Sequence, residues 1–278
     1  MKKMLALLLA LVMVLSLAAC ASSQPAAAST ETAETTETTE PAAEESAEAP
    51  AESGKTYTVG VCQLVQHEAL DAATQGFIDA LKEELGDAVT VDVQNASGDS
   101  VNCGTIVNGF VSKGVDLIMA NATPALTAAV SATADIPILG TSITAYGVAL
   151  DIDDFNGTVG GNVSGTSDLA DLQAQAQMIL DWFPETKTVG LLFCSAEPNS
   201  RYQIDEVRKA LEAQGVTCEE FAFTDSNDVS SVTQKAADFS DVVYIPTDNT
   251  AASNTEAIAN VLIPAGVPAV CGEEGLCR

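Results

Sequence analysis

The sequence has few of the residues on which enzyme active sites depend. It contains one histidine among 278 residues, and neither a CxxC pair nor a Cys/His cluster with zinc-ligand spacing. A GxSxG nucleophile motif and a phosphate-binding P-loop are also missing. Aspartate and glutamate are plentiful, but no spacing singles out a catalytic pair. The sequence therefore predicts a protein that is not an enzyme and that uses no metal or other cofactor.

Basic and aromatic residues are scarce as well. Eleven Lys and Arg residues face 39 Asp and Glu residues, so the formal net charge is −28. Such an acidic chain is a poor match for nucleic acid or for an anionic lipid surface, because both carry the same sign of charge. Aromatic residues make up 5% of the chain, and the abundance of small and aliphatic residues favours a layered α/β protein.

The long apolar run of this chain lies at its start. Lys2 and Lys3 precede an apolar segment from Met4 to Ala19, which ends on Leu-Ala-Ala followed by Cys20. This pattern is typical of a secretory signal peptide and resembles a bacterial lipobox, in which the cysteine is acylated. A plain signal peptide or a membrane helix are the alternatives, but the run is short for a membrane span. We expect a signal peptide over residues 1–19 and a protein anchored by lipid at Cys20 to the outer face of the cytoplasmic membrane.

Residues 20–55 consist mainly of Ala, Ser, Thr, Glu and Pro, with eight glutamates. Such a segment buries too little apolar surface to offset the entropy of ordering it. We predict a disordered acidic linker here. The six cysteines beyond the linker allow 15 disulfide pairings, among which the sequence does not choose. Cys62, Cys194 and Cys271 each end a strand-like apolar run, which favours mostly free, buried thiols.

The rest of the chain contains an internal repeat. Thr58–Val61 matches Thr188–Leu191, Asp116–Asn121 matches Asp241–Pro246, and Ile136–Gly140 matches Val267–Gly272, all at nearly the same separation. Chance similarity between two α/β segments is the alternative, but the three matches occur in the same order. We interpret the two halves as copies of one unit.

Each copy is predicted to contain four strands that alternate with helices. The predicted strands are 57–62, 89–93, 115–121 and 136–139 in the first copy, and 188–194, 217–223, 241–245 and 267–271 in the second. Continuous aliphatic strands between amphipathic helices indicate parallel sheets covered on both faces. We predict lobe 1 over 56–148, a crossover or hinge segment over 149–167, lobe 2 over 168–271, and the start of a return to lobe 1 over 272–278. In parallel sheets ligands bind at the carboxyl ends of the strands, so two such lobes place a ligand between them.

Several segments resemble a known family. They are Val59-Gly60-Val61, Gln66-His67-Glu68-Ala69-Leu70-Asp71, Asn121-Ala122-Thr123-Pro124, Gly165-Thr166-Ser167-Asp168 and Pro246-Thr247-Asp248-Asn249. They resemble the substrate-binding lipoproteins of ABC importers with the type I periplasmic-binding fold, in the branch that includes tryptophan- and tyrosine-binding members. The resemblance implies two doubly wound parallel-sheet lobes joined by a hinge. It also implies a monomer that holds an aromatic amino acid and delivers it to a membrane permease. Family members continue with another helix and strand where this chain stops, so we expect the carboxyl-terminal part to be missing.

Candidate ligand contacts are polar side chains that follow the strands, because parallel strands end at one edge of a sheet. Thr123 either receives a ligand carboxylate at a helix start or caps that helix, and His67 is either a ligand contact or a helix-entry residue. Leu64, Tyr146 and Tyr202 are candidate apolar lining. The polar candidates in the first lobe and the crossover segment are Gln66, His67, Asp71, Asn121, Thr123, Thr141, Ser142 and Ser167.

The second copy offers an equivalent set. Asp248 either pairs with the ammonium group of a ligand through a charge-assisted hydrogen bond or caps the helix predicted to start near Thr250. The candidates are Asn199, Ser200, Thr247, Asp248, Asn249 and Glu273. Together these observations predict a protein that captures a small molecule, an aromatic amino acid, for an ABC importer. A surface lipoprotein that acts as an adhesin or as a ligand sensor without transport is the alternative.

Overall fold

The computed structural model describes residues 54–277. The predicted signal peptide, Cys20 and nearly all of the predicted linker lie outside the described residues. Within 54–277, no helix has both the length and the apolar character needed to cross a membrane.

The first lobe is built on a parallel sheet. Among the described residues its strands are β1 (Tyr57–Gln63), β2 (Val89–Asn95), β3 (Leu117–Asn121), β4 (Ile138–Ile143) and β5 (Val163–Ser167). They lie in the order β2-β1-β3-β4-β5, and every pairing is parallel. The four strands predicted for this lobe are confirmed. The fifth, β5, lies in the segment predicted to be a crossover and extends the sheet at the β4 edge.

The helices of this lobe are α1 (Glu68–Leu85), α2 (Ser100–Lys113), α3 (Thr123–Ala132) and the short α4 (Tyr146–Ala149), with a 3₁₀ turn at Gly86–Ala88. Asp99 caps α2 by accepting a hydrogen bond from the Val101 backbone N–H at 2.7 Å, and Gly114 ends α2 in the left-handed conformation. Helices α2 and α3 bury one face of the sheet with a core that includes Val107, Phe110 and Leu126.

The second lobe repeats this pattern. In the described part its strands are β6 (Thr188–Cys194), β7 (Thr217–Phe223), β8 (Val242–Ile245) and β9 (Ala269–Cys271), in the parallel order β7-β6-β8-β9. The helices are α5 (Leu172–Trp182), α6 (Pro198–Glu212), α7 (Val229–Phe239), α8 (Asn249–Ala252) and α9 (Thr255–Ala265), and a 3₁₀ turn spans Glu274–Cys277. The segment where one helix was predicted to start near Thr250 forms two helices, α8 and α9, separated by Ser253 and Asn254.

Alternation along β6 explains why both faces of the second sheet are covered. Leu191 and Phe193 point to the core formed with α5 and α6, whereas Leu192 and Cys194 belong to the core formed with α7 and α9. The helix before β6 also packs onto this sheet, since Leu172 and Ile179 of α5 belong to the first of these cores.

The repeat predicted from the sequence is confirmed by the topology. β2-β1-β3-β4 and β7-β6-β8-β9 have the same order of strands along the chain. Gly60 and Gly190 occupy the same position in β1 and β6, and a Cβ atom at either would collide with a neighbour. It would lie 2.6 Å from the Phe110 ring in the first lobe and would overlap the Ser240 hydroxyl in the second. Each central strand therefore needs glycine where its neighbouring elements approach most closely.

Candidate ligand-binding cleft

The carboxyl ends of the strands in both lobes face one another. Nε2 of His67, in the loop after β1, lies 3.3 Å from Oδ1 of Asn249, which begins α8 after β8. This hydrogen-bonding distance joins residues 182 positions apart in the chain and connects the two lobes directly. The cleft predicted at the strand ends is therefore lined from both sides.

Asp71 and Asn121 bind other parts of their own lobe. Gln63 donates from Nε2 to the Asp71 carboxylate at 2.6 Å, and Asn121 donates from Nδ2 to the Leu70 carbonyl at 2.8 Å and to the Thr74 hydroxyl at 2.9 Å. These bonds fasten α1 to the ends of β1 and β3. Both residues were predicted to contact ligand; the structure shows these scaffold bonds and leaves the buried Oδ1 of Asn121 without a partner among the described residues.

Gln66 is exposed and lies away from the second lobe. With Asp71, it borders an open depression of about 400 Å³ between α1 and the end of β2. The structure does not bring Gln66 together with the second-lobe candidates.

Thr123 is the first residue of α3 and does not cap it. The N-cap position belongs to Ala122, which adopts a positive φ of 88° and has no side chain able to cap. The Thr123 side chain is 2% exposed, and its Oγ1 has no hydrogen-bond partner among the described residues. Of the two roles that the sequence left open, the structure rejects capping and leaves a buried hydroxyl at the amino end of a helix.

The carboxyl end of β4 and the loop that follows it are held by local bonds. Ser142 has a φ of 55°, Thr141 accepts the Ala122 backbone N–H through its carbonyl at 3.1 Å, and Thr141 and Ser142 are both partly buried. The Tyr146 hydroxyl donates to the Gly140 carbonyl at 3.1 Å. Ser167 donates to the Thr144 carbonyl at 2.9 Å, which ties the end of β5 to this loop. Tyr146 and Ser167 therefore fasten the edge of the first sheet next to the crossover.

Glu197 dominates the second-lobe side of the cleft, and the sequence analysis did not select it. Its buried carboxylate accepts hydrogen bonds from the backbone N–H groups of Asn249 at 3.1 Å and Thr250 at 2.9 Å. It also accepts from Nδ2 of Asn249 at 2.6 Å and from the Thr250 hydroxyl at 2.8 Å. Glu197 therefore closes the amino end of α8 from a loop some fifty residues earlier in the chain.

Asp248 caps α8, which was one of its two predicted roles. One carboxylate oxygen accepts the Ala251 backbone N–H at 2.7 Å and the other accepts the Cys194 backbone N–H at 2.6 Å. The residue is 1% exposed. Its burial, and then the charge of nearby Glu197, raise the pKa of Asp248 to about 7. Hydrogen bonds from the two backbone groups and from Ser200 oppose this rise.

Asn199 and Thr247 lie beside this acidic pair. Asn199 donates from Nδ2 to the Thr247 carbonyl at 3.2 Å, while its buried Oδ1 has no partner among the described residues. Gln203, which the sequence analysis also missed, accepts the Thr247 backbone N–H at 3.0 Å and donates to the Thr247 carbonyl at 3.1 Å. The Thr247 backbone is thus held by two side chains of α6.

Two other candidates lie at the margins of this wall. Glu273 follows β9 and accepts the Gly275 backbone N–H at 2.7 Å through Oε2, whereas its Oε1 is buried without a partner in the described part of the chain. Tyr202 is partly buried and packs against the α5/α6 core of its own lobe. Tyr202 was predicted as apolar lining of the cleft, and the contact observed is with the core of its own lobe.

A cavity of about 270 Å³ lies between the lobes. Among the sequence candidates, Leu64 borders it. The sequence analysis missed most of its polar lining, which comes from both lobes and includes Ser97, Asp99, Ser100, Glu197, Thr224, Asp225 and Thr250. The turn Ser97-Gly98-Asp99 before a helix is the local signal that could have indicated this side of the cleft.

The chain is similar to substrate-binding proteins of transporters. The family model of ABC transporter substrate binding proteins matches residues 58–278. The chain belongs to this family. Its members are binding proteins rather than enzymes, which agrees with the sequence prediction, and the lobes described above have the type I periplasmic-binding fold.

Two relatives are similar over most of the chain. A tyrosine-binding protein from Clostridioides difficile (strain R20291) is 33% identical over 230 residues, which are 81% of this chain and 66% of the relative. The structure of an ABC domain from Streptococcus pneumoniae in complex with L-Trp is 32% identical, covers 80% of this chain and 76% of its own, and has a TM-score of 0.75.

A third comparison concerns the arrangement of the lobes. The ligand-free, open structure of a substrate-binding protein with adhesive properties from Clostridium difficile is 33% identical, with the same coverage of 80% and 76%. Its TM-score is 0.54, well below the 0.75 of the L-Trp complex at nearly equal identity. The chain is therefore more similar in structure to the L-Trp complex than to the open relative, in agreement with the direct contact between His67 and Asn249.

Proposed function

We propose that this protein is a lipid-anchored, extracytoplasmic solute-binding protein that captures an aromatic L-amino acid, tryptophan or tyrosine, for an ABC importer. The proposal is supported by the tyrosine-binding relative and by the relative crystallised with L-Trp. The match spans slightly less than two thirds of the tyrosine-binding relative. We therefore propose the ligand, the role in transport and the permease partner together.

The observation that carries the ligand class is the buried, unpartnered hydroxyl of Thr123. An unsatisfied buried polar group costs free energy unless something binds it. Thr123 lies at the start of the ten-residue helix α3, where backbone N–H groups and the helix dipole favour a negative charge. A ligand carboxylate would accept a hydrogen bond from the Thr123 hydroxyl and would place a negative charge at the start of α3.

The opposite wall supplies negative charge. Glu197 and Asp248 lie close enough for their charges to interact, and Glu197 borders the interlobe cavity. A ligand ammonium group near this pair would relieve the repulsion between the two carboxylates. A zwitterion with its carboxylate toward α3 and its ammonium toward lobe 2 would therefore bridge the lobes.

The mechanism that we propose is closure around the ligand. An amino acid that contacts both walls binds the closed arrangement more tightly than the open one, so it shifts the population toward closure. The closed surface is then the form that a permease would recognise.

Calorimetry with matched ligands tests the proposal. L-Trp, L-Tyr and L-Phe would be compared with N-acetyl-L-tryptophan, which lacks the ammonium charge, and L-tryptophanamide, which lacks the carboxylate. We expect binding of at least one free amino acid and much weaker binding of both derivatives. No heat signal with any of the three amino acids would contradict the ligand class. Loss with only one derivative would identify which charged group is recognised.

Adhesion is the second candidate function, because the open relative is described as having adhesive properties. Beads coated with the purified protein, with and without L-Trp or L-Tyr, would be tested for attachment to epithelial cells. Attachment by a protein that binds none of the amino acids would favour adhesion alone. Uptake of labelled amino acid, lost on gene deletion and restored by the gene, would favour transport.

The lipid anchor at Cys20 is tested by fractionating cells that express Cys20→Ser. We expect the variant to leave the membrane fraction, because acylation of Cys20 is the proposed anchor. Equal membrane retention of both forms would contradict lipidation at this residue and would leave the ligand proposal untouched.

A further inference from the structure

The loop that follows β9 brings two cysteine thiols together. β9 ends at Cys271, and the 3₁₀ turn over Glu274–Cys277 folds the chain back over this strand end. Sγ of Cys271 lies 3.8 Å from the Leu276 carbonyl, and Sγ of Cys277 lies 3.9 Å from the Glu273 carbonyl. The turn therefore brings Cys277 close to Cys271, and this proximity contributes to a raised pKa of Cys271.

Accessibility distinguishes this pair from a second one. Cys277 is exposed and Cys271 is partly buried. Cys62 in β1 and Cys103 in α2 belong to one core cluster and lie close enough for Cys103 to raise the pKa of Cys62, but both are completely buried in the first lobe. A soluble oxidant can therefore reach the Cys271–Cys277 pair in the folded protein and cannot reach the Cys62–Cys103 pair.

We propose that Cys271 and Cys277 form a redox-responsive pair that closes to an intramolecular disulfide by exchange with a small-molecule disulfide. The Cys277 thiolate attacks the small disulfide, forms a mixed disulfide and releases one small thiol. Cys271 then loses its proton and attacks the Cys277 sulfur, which forms the protein disulfide and releases the second small thiol. Two protein S–H bonds are oxidised, and one small disulfide is reduced to two thiols.

The exposure of the two thiols sets this order. Burial, and then the neighbouring Cys277, raise the pKa of Cys271, so this sulfur is mostly protonated when the solvent-exposed Cys277 reacts. The turn holds Cys271 next to Cys277. Cys271 can therefore attack the mixed disulfide on Cys277 without first diffusing to it.

The loop between the two cysteines contacts helices α5 and α8. The Gly272 carbonyl accepts a bond from Nε2 of Gln175 at 3.2 Å, and Leu276 packs in the same core as Ala251 of α8. Helix α8 begins with Asn249, which contacts His67 across the cleft. A disulfide would therefore constrain the loop against the helix that makes the interlobe contact.

Thiol mapping tests the pair in the mature chain carrying Cys20→Ser. The reduced protein would be equilibrated with increasing ratios of oxidised to reduced glutathione, acid-quenched, alkylated in denaturant and analysed by peptide mass. We expect Cys271 and Cys277 to lose alkylation together, in a species lighter by two hydrogen atoms, while Cys62 and Cys103 stay alkylated. Glutathione retained on Cys277 without the internal disulfide, or simultaneous oxidation of both pairs, would overturn the proposal.

Two variants serve as matched controls. Cys277→Ser changes the exposed member and should leave Cys271 alkylated at every ratio, whereas Cys218→Ser changes a partly exposed thiol elsewhere and should leave the pair oxidisable. The melting temperature of the wild-type protein should rise on oxidation and return on reduction, with no such shift in Cys277→Ser. An unchanged wild-type melting temperature would overturn the inference that the disulfide constrains the loop.

Discussion

At the scale of single residues, Glu197 and Asp248 account for much of the second-lobe wall. Both are buried carboxylates, and both accept backbone N–H groups at the start of α8. Charge-assisted bonds of this kind offset part of the cost of burying a carboxylate. Burial raises the pKa of Asp248, and the negative charge of nearby Glu197 raises it further.

Thr123→Val should weaken amino-acid binding without weakening the fold. Removing a hydrogen bond to a charged group costs about 1.5–3 kcal/mol, or about 10- to 150-fold in affinity. The Thr123 hydroxyl has no protein partner to lose among the described residues, so the free energy of unfolding should stay the same or rise. Calorimetry and urea denaturation measure the two quantities. Thr105→Val is the control, because this exposed hydroxyl bonds within α2; equal affinity in both variants would contradict a role for Thr123.

Asp248→Asn should change how stability depends on pH. The pKa of Asp248 is about 7 in the folded protein and about 3.9 in an unfolded chain. The unfolded chain therefore releases this proton first, so the wild type loses free energy of unfolding as pH rises from about 4 to about 7. Asn has no proton to release. Urea denaturation across this range should show the wild type losing stability relative to the variant, and a constant difference would contradict the raised pKa.

The same variant tests the ammonium role of Asp248. The Asn side chain keeps one of the two accepting oxygens, so one backbone N–H is left unpaired. We expect this to lower the free energy of unfolding by about 1–3 kcal/mol at every pH in the range. If Asp248 also neutralises a ligand ammonium, affinity should fall about 10- to 150-fold. An affinity for amino acid that hardly changes in a folded Asp248→Asn protein would contradict the ammonium role and would leave helix capping as the role of Asp248.

At the scale of elements, the two copies of the repeat are fastened by equivalent aspartates. Asp116, just before β3, accepts the Thr58 backbone N–H at 2.7 Å at the start of β1. Asp241, just before β8, accepts the backbone N–H groups of Lys187 and Thr188 and the Thr188 hydroxyl, each at 2.9 Å. These three bonds lower the pKa of Asp241. The same residue type thus holds neighbouring strands in register in both lobes.

Asp241→Ala should destabilise the protein more than Asp116→Ala. The first change removes three hydrogen bonds and the second removes one, at about 0.5–1.5 kcal/mol for each bond, reduced by the solvent exposure of both sites. The Asp241 contribution is present above pH about 4 and is lost as pH falls through its lowered pKa. Chemical denaturation of both variants at pH 7 makes the comparison. Equal losses would contradict the account.

At the scale of the whole molecule, the two lobes meet in a closed arrangement. The contact between His67 and Asn249 and the lower similarity to the open relative agree on this point. An interlobe hydrogen bond of this kind contributes little free energy, so its gain or loss can shift the balance between open and closed lobes. Ligand binding can then control the equilibrium between open and closed lobes.

His67→Ala should shift the ligand-free protein toward the open arrangement. The lost hydrogen bond contributes about 0.5–1.5 kcal/mol, so closure becomes about two- to tenfold less favourable. Small-angle X-ray scattering without ligand should show a larger radius of gyration than the wild type. His67 is also a predicted ligand contact, so the ligand-free measurement is the decisive one. Gln66→Ala, in the exposed neighbour that faces away from the second lobe, should have the same radius of gyration as the wild type. An unchanged radius of gyration in His67→Ala would contradict a role of the His67–Asn249 hydrogen bond in closure.

The sequence by itself determined the architecture of the described residues. Apolar runs between helix starts and stops are local signals, and they predicted eight strands, the repeat and the parallel sheets. The missed strand β5 has the sequence Val-Ser-Gly-Thr-Ser, with little apolar character. It is a strand because the β4 edge offers backbone partners, and local composition does not record that. Local composition likewise does not record the interruption between α8 and α9.

The tertiary structure alone decided what the polar candidates do. Thr123, Asp248 and His67 were each predicted with two roles, because a threonine, aspartate or histidine at a helix start looks the same in sequence whether it caps or binds. Their partners determine the role, and those partners are distant in sequence: Cys194 for Asp248, and Asn249 for His67. Glu197 was missed for the same reason, since the helix it closes begins about fifty residues later. Hydrogen bonds between distant segments exist only after the chain has folded, so the folded structure alone determines which polar groups are left for a ligand.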